Sequence, residues 1–150
     1  MTDGGDLRID RAQSGEAELL GQLNFQLDED EPHPYRRPLP VLIERMRRWI
    51  DTGEYHVLLF RRGQHVAGYA VWRLEDRGVY LRHFFICRDQ RGQGVGRAAI
   101  RLLCRDVFPK DHPVQLDATI DNKAGVAFWH AIGFRDFGVS MELKAGELPR

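Results

Sequence analysis

The stretch RDQRGQGVGRAAI, Arg88 to Ile100, places Gly92, Gly94 and Gly96 at alternate positions between an apolar run and an amphipathic one. The apolar run, Phe84 to Cys87, is continuous, as expected of a central strand buried on both faces, and its broken alternation leaves room for a bulge. A loop between a strand and a helix offers backbone N–H groups and the positive end of a helix dipole. Glycine lets an anion approach the main chain without a Cβ in the way. One glycine suffices for a turn, and three cost chain entropy, so the loop reads as a phosphate cradle.

Bulk properties narrow the setting. The 150 residues suffice for one domain with a core, read as 1–150 with frayed ends at 1–6 and 145–150. The 22 basic and 22 acidic side chains cancel, so no global field attracts nucleic acid or an anionic membrane. No apolar run is long enough to span a bilayer, and MTDGGDLRID lacks the basic and apolar regions of a signal peptide. Cys87 and Cys104 form no CxxC pair, which argues against a disulfide framework or a metal site and fits a cytoplasmic location.

Local patterns supply the elements. LRIDRA from Leu7 is a short strand, and Ser14 is placed to cap a helix with Leu19, Leu20, Leu23 and Leu27 at helical spacing. Asp28 to Pro40, with four prolines, is an irregular loop. A second helix carries Leu39, Leu42, Ile43, Met46, Trp49 and Ile50 on one side and stops at Gly53. Two strands flank Arg62-Gly63-Gln64, and EDRG turns into a third, VYLRHFFIC. After the glycine loop come a helix near Gly94 to Phe108, a strand from Val114, a short helix from Asn122 ended by Gly133, and a last strand from Phe134. The order predicts an α/β (α+β) fold with a mixed, mostly antiparallel sheet of six or seven strands and about four helices.

Three phosphate ligands compete for the loop. Gly94-Val95-Gly96-Arg97-Ala98-Ala99 satisfies G-x-G-x-x-A, but polar Arg88 to Arg91 separate the strand from Gly92, and about fifty residues are too few for the rest of a doubly wound sheet. A triphosphate loop needs a Lys-Ser/Thr pair that is absent after these glycines. The third ligand is the pyrophosphate of coenzyme A. Arg91-x-x-Gly94-x-Gly96 after a buried strand resembles the [Q/R]-x-x-G-x-[G/A] motif of the GNAT superfamily of acyl-CoA-dependent N-acyltransferases. DATIDNKAGVAFWHAIGF resembles the later family segment, with Asn122, Trp129, Gly133 and Phe134 at its Asn, aromatic and Gly-Phe places.

The resemblance implies a GNAT-like fold and transfer of an acetyl group from acetyl-CoA to a primary amine of a small molecule or peptide, by direct attack in a ternary complex. It assigns the pyrophosphate to the main chain of Arg91, Gly92, Gln93, Gly94, Val95 and Gly96, with Arg97 at the next turn. Phe85, Ile86 and Cys87 would pair with the pantetheine arm, and the same strand would hold the acyl carbonyl through an N–H. Asn122 would hydrogen-bond the pantetheine or cap its helix. Phe128 would lie on the cofactor or core side.

The amine must lose a proton. Neutralising a lysine-like amine, pKa about 10.4, costs roughly 4 to 5 kcal/mol at neutral pH. Asp117 is the favoured base, against the alternative of an exposed salt bridge. His83 is a weaker candidate, Glu75 reads as a turn residue, and Tyr80 stands where other members keep a Glu. Trp129 occupies a place where the family often has Tyr. An indole N–H cannot deliver its proton, so Trp129 would wall the thiol pocket and solvent would protonate the thiolate. Cys87 reads as a small buried hydrophobe. Asp28, Glu29, Asp30 and Glu31 could attract a cationic amine, or form a solvated acidic loop. A non-catalytic CoA-binding module is the alternative function, a dinucleotide oxidoreductase the weaker third reading, and a homodimer is left open.

Overall fold

The computed structural model describes residues 7–31 and 34–150. The expected fraying of 1–6, and the Pro32 and His33 part of the proline loop, lie outside the described residues. The sheet runs in chain order, β1 (Leu7–Arg11), β2 (His56–Arg62), β3 (His65–Glu75), β4 (Gly78–Ile86) and β5 (Val114–Gln115). The first four strands are antiparallel, and β4 to β5 is parallel. Helices α1 (Ala17–Asp30) and α2 (Leu39–Thr52) cover one face. Helices α3 (Val95–Leu102) and α4 (Lys123–Ala131) cover the other.

Local chemistry explains the boundaries. Gly53 ends α2 at φ +74°, a left-handed C-cap that a side chain would strain. Gln13, rather than Ser14, forms a capping box with Glu16 around a short 3-10 turn, and α1 starts one turn later. Gly21 has no room for a Cβ against the Ile43 backbone, so α1 and α2 cross closely there. Both cores are apolar: Leu20, Met46, Trp49, Leu59 and Val71 under α1 and α2, and Phe60, Ala70, Leu81, Ala99 and Leu103 under α3. Burying such side chains contributes about 1.5 to 3 kcal/mol each.

Two departures from the sequence pattern bear on the site. Among the described residues the sheet has five strands, not six or seven. β5 is only two residues long, pairing Val114 and Gln115 with Val79 and Tyr80, and the segment from Phe134 onward forms no strand. A strand needs a pairing neighbour, and so short a β5 offers little template. Helix α3 also ends early, passing into one π-helical turn, Leu103–Val107, before Pro109. No helix among the described residues is long and apolar enough to cross a membrane.

Candidate active site

The expected bulge in β4 decides which side chains meet. Val71 pairs with His83 and Trp72 with Leu81, so Arg82 is an extra residue. Arg82 and His83 consequently lie on the same face, toward α2. The Arg82 guanidinium carbon is 4.9 Å from the Trp49 ring centroid, and the His83 ring is 5.6 Å from it.

Among the described residues, the short β5 leaves Leu81 to Ile86 without a strand neighbour on that edge. Backbone polarity alternates along the edge. The Cys87 N–H donates to Ala67 in β3 at 2.8 Å, and the Phe85 carbonyl faces Gly68. Phe84 and Ile86 therefore turn their backbone outward, and the Ile86 carbonyl accepts a 2.8 Å hydrogen bond from Arg91 Nε.

Next comes the glycine loop. Gly92 and Gly94 hold φ +75° and +79°, and a Cβ on either would meet nothing. Gly94 is the N-cap of α3, whose first cap-to-helix bond is Ala98 N–H to the Gly94 carbonyl at 3.1 Å. Among the described residues the amides of Gly92 to Arg97 donate to no protein acceptor. Side chains brace the loop. Arg62 donates to Gln90 and Gln93, each at 3.0 Å, and Gln93 Nε2 donates to the Asp89 carbonyl. Val95 is buried in the core, Arg97 is exposed, and a Cβ at Gly96 would press on Phe128 at 3.1 Å.

A small pocket opens where β4 and β5 part. Arg82, His83, Phe84, Asp117 and Trp129 line it, with Glu31 from the end of α1. Asp117 is exposed and accepts a 3.1 Å hydrogen bond from the Tyr80 hydroxyl. Burial, then the Asp117 charge and hydrogen bond, push Tyr80 up to about 12, so it stays a neutral donor. Trp129 packs edge-on against Phe84, Phe128 and Phe134 at 5.0 to 5.2 Å. Asn122 caps α4, its Oδ1 accepting from Gly125 N–H at 3.1 Å.

His83 is the other base candidate in the pocket. Its Nδ1 is 3.0 Å from the hydroxyl of buried Tyr69. Burial, then the guanidiniums of Arg45, Arg82 and Arg37, hold its pKa well below the ordinary imidazole value, so it is neutral at pH 7. Burial, then Asp89, raise Cys87, which keeps its thiol protonated and unreactive. Glu75 pairs with Arg73 at 2.8 Å, beside the β3–β4 turn.

Some partners were not anticipated from the chain. Asp30 joins Arg91 at 2.7 Å and Arg88 at 2.9 Å, and Glu29 joins Arg88 at 3.4 Å. Fully buried Asn24 accepts from Arg45 at 2.9 Å. A polar Asn within the apolar stripe of Leu20, Leu23 and Leu27 was the signal for that contact.

The chain is similar to known proteins in sequence and fold. The Acetyltransferase (GNAT) family matches residues 22–134. No curated protein matches the chain. Among solved structures, an acetyltransferase of Thermus thermophilus is 21% identical, with a TM-score of 0.71 and 86% of each chain covered. The aminoglycoside N-acetyltransferase AAC(6')-Iy in complex with CoA is 15% identical, with a TM-score of 0.71, covering 93% of this chain and 95% of that one. A possible acetyltransferase of Clostridium difficile 630 is 12% identical, also at 0.71, covering 95% of this chain and 99% of that one. Likeness at these identities concerns the fold, and the family match spans most of the sequence. The chain belongs to the GNAT acetyltransferase family.

Proposed function

We propose that this protein transfers an acetyl group from acetyl-CoA to a primary amine of a small molecule or peptide, by direct attack in a ternary complex. The observation that carries the reading is the run of unspent amides from Gly92 to Arg97 next to the unpaired edge of β4. Amides and a helix N-terminus suit a pyrophosphate. The open space over Gly92 and Gly94 lets an anion reach them. Arg91 and Arg88 add positive charge at the same loop. An unpaired edge suits an amide-bearing arm added as a strand. Of Phe85, Ile86 and Cys87, Ile86 supplies the outward backbone, while Phe85 and Cys87 hold it against β3. Asn122 and Phe128 form the far side, Asn122 through its amide nitrogen.

Bound acetyl-CoA supplies an activated thioester. The amine nitrogen bonds to the acyl carbon, the carbon–sulfur bond breaks, and the thiolate leaves with the electron pair. Asp117 takes the amine proton, directly or through water. The Tyr80 hydroxyl holds that carboxylate in place. His83 is the poorer base, because its imidazole binds a proton weakly and its Nδ1 is committed to Tyr69. An outward N–H of β4 polarises the acyl carbonyl. Trp129 walls the sulfur, and solvent returns its proton.

Calorimetry with acetyl-CoA tests the donor half, and no binding at millimolar ligand overturns it. Asp117→Asn should slow transfer at neutral pH and cost less at high pH, where the amine is already neutral. An unchanged pH profile removes Asp117 from the base role. A CoA-binding module without turnover is the second reading, favoured by an indole at Trp129 that cannot act as an acid. It predicts CoA binding with no thiol release from any amine tried.

A further inference from the structure

Building on the amine-acylation reading above, we infer that the acceptor carries a carboxylate as well as its amine, and that Arg45 and Arg82 form the subsite for that carboxylate. The β4 bulge brings Arg82 to the side of Trp49, where Arg45 arrives from the preceding turn of α2. Their guanidinium carbons lie 4.7 Å and 4.9 Å from the same indole centroid. Each makes one hydrogen bond to a neutral group, Arg45 to Asn24 and Arg82 to the Tyr55 hydroxyl at 2.9 Å. Among the described residues neither guanidinium has a carboxylate within ion-pair distance. Among the described residues Arg45 Nε and Trp49 Nε1 are buried donors without an acceptor, and Trp49 is 1% exposed.

Two neighbouring cations and two idle donors amount to a site lacking an anion. Burying a charge without a partner is costly, and unsatisfied buried donors are uncommon in folded proteins. Burial, then Arg82 and Arg37, bring Arg45 down to about 10, outweighing the opposing influence of Tyr69 and Asp28. Neutral His83 adds no further positive charge.

The remaining charges set the orientation of the acceptor. Asp28 and Glu31 come from α1 and its end, Arg37 from the loop before α2, and Asp117 from beyond β5. Asp28 accepts from Asn24 at 3.4 Å. Glu29 and Asp30 are committed to Arg36, Arg88 and Arg91, so they do not form a cationic trap. The pocket lining is therefore acidic at Asp117 and Glu31 and basic at Arg82, with Arg45 outside the lining and beside the same Trp49 ring as Arg82. An amine seated at the first end and a carboxylate at the second match both, and a guanidinium fork suits a carboxylate. Amino acids have this chemistry, and the product would be an N-acetyl amino acid.

Calorimetry in two arms tests the assignment. One arm titrates acetyl-CoA. The other, with CoA present, titrates N-acetyl amino acids with side chains from methyl to benzyl, each against its primary amide. The acids should bind about tenfold or more tighter than the amides, a difference of about 1.4 kcal/mol. Arg82→Gln should erase that margin, Arg82→Lys should keep part of it, and Arg45→Gln gives a second route should one variant fold poorly. Equal binding of acids and amides by the wild type, no acid binding at millimolar concentration, or an acid margin unchanged in both glutamine variants overturns the subsite. Acid preference without acetyl-CoA binding keeps the subsite and overturns the transferase reading. Acetyl-CoA binding without acid preference does the opposite.

Discussion

Asp30 bridges the two arginines of the glycine loop, with one carboxylate oxygen 2.7 Å from Arg91 and the other 2.9 Å from Arg88. Burial works against its charge, but the hydrogen bonds from Arg91 and Arg88 prevail and hold its pKa below the usual carboxylate value. The bridge is intact above about pH 4 and is lost only as pH falls through that lowered value, outside any assay range. A pyrophosphate on the loop competes with Asp30 for the same guanidiniums. Asp30→Asn should tighten CoA binding about two- to tenfold while changing stability by under about 1 kcal/mol, since exposed ion pairs contribute little. Calorimetry on the two proteins checks this, and weaker binding by Asp30→Asn would show that the bridge organises the cradle instead.

Gly94 offers a prediction with two readouts. At φ +79° any L side chain is strained by about 1 to 2 kcal/mol, and in a 150-residue chain 1 kcal/mol shifts Tm by about 2 to 4 °C. Its Cβ would meet no protein atom, so the side chain projects toward the space over the amides. Gly94→Ala should lower Tm modestly, and Gly94→Trp should abolish CoA binding in calorimetry while remaining folded. A Gly94→Trp protein that binds CoA like the wild type places the pyrophosphate elsewhere.

His83 and His56 make stability depend on pH. Both have lowered pKa values, His83 through burial and the nearby guanidiniums, His56 through burial and Arg11. Between their folded values and the unfolded value near 6.5, the unfolded chain binds more protons, so stability rises with pH. The stabilisation present above about pH 6.5 drains as pH falls, by at most about 1.4 kcal/mol per pH unit for each group. Urea denaturation from pH 7.5 to 5 should show this slope, and His83→Gln should flatten it. Identical slopes for variant and wild type rule out His83 as the source.

Much of the fold was legible because its signals are local. Gly53 and Gly63 have the left-handed φ values that the reading of a helix stop and a hairpin turn requires. The broken alternation at Phe84 to Cys87 left room for a bulge, which lies instead at Arg82, just before that run, and turns Arg82 and His83 toward Trp49. The missing last strand was illegible for a physical reason. Phe137, Val139, Met141 and Leu143 alternate as in a strand, but pairing is a property of two segments, and β5 gives little edge to join. The phosphate loop was readable because its residues are contiguous. The cluster of Asn24, Arg45, Trp49, Tyr69 and Arg82 draws on α1, α2, β3 and β4, and nothing in the spacing of those residues brings them together.

Tyr80 tests whether Asp117 depends on positioning. The 3.1 Å hydrogen bond orients an exposed carboxylate that would otherwise rotate freely. With its pKa pushed up to about 12, mainly by burial and then by Asp117, the phenol stays protonated across any practical assay. Tyr80→Phe keeps the ring and its packing while removing the donor. It should lower kcat about tenfold, about 1.4 kcal/mol of barrier, with the KM for acetyl-CoA unchanged. Stability should change by only about 1 kcal/mol, the usual net worth of one hydrogen bond. A steady-state pH series separates the roles. A positioning residue shifts the limb of the profile that reports the base, whereas a merely structural tyrosine leaves that limb where the wild type has it.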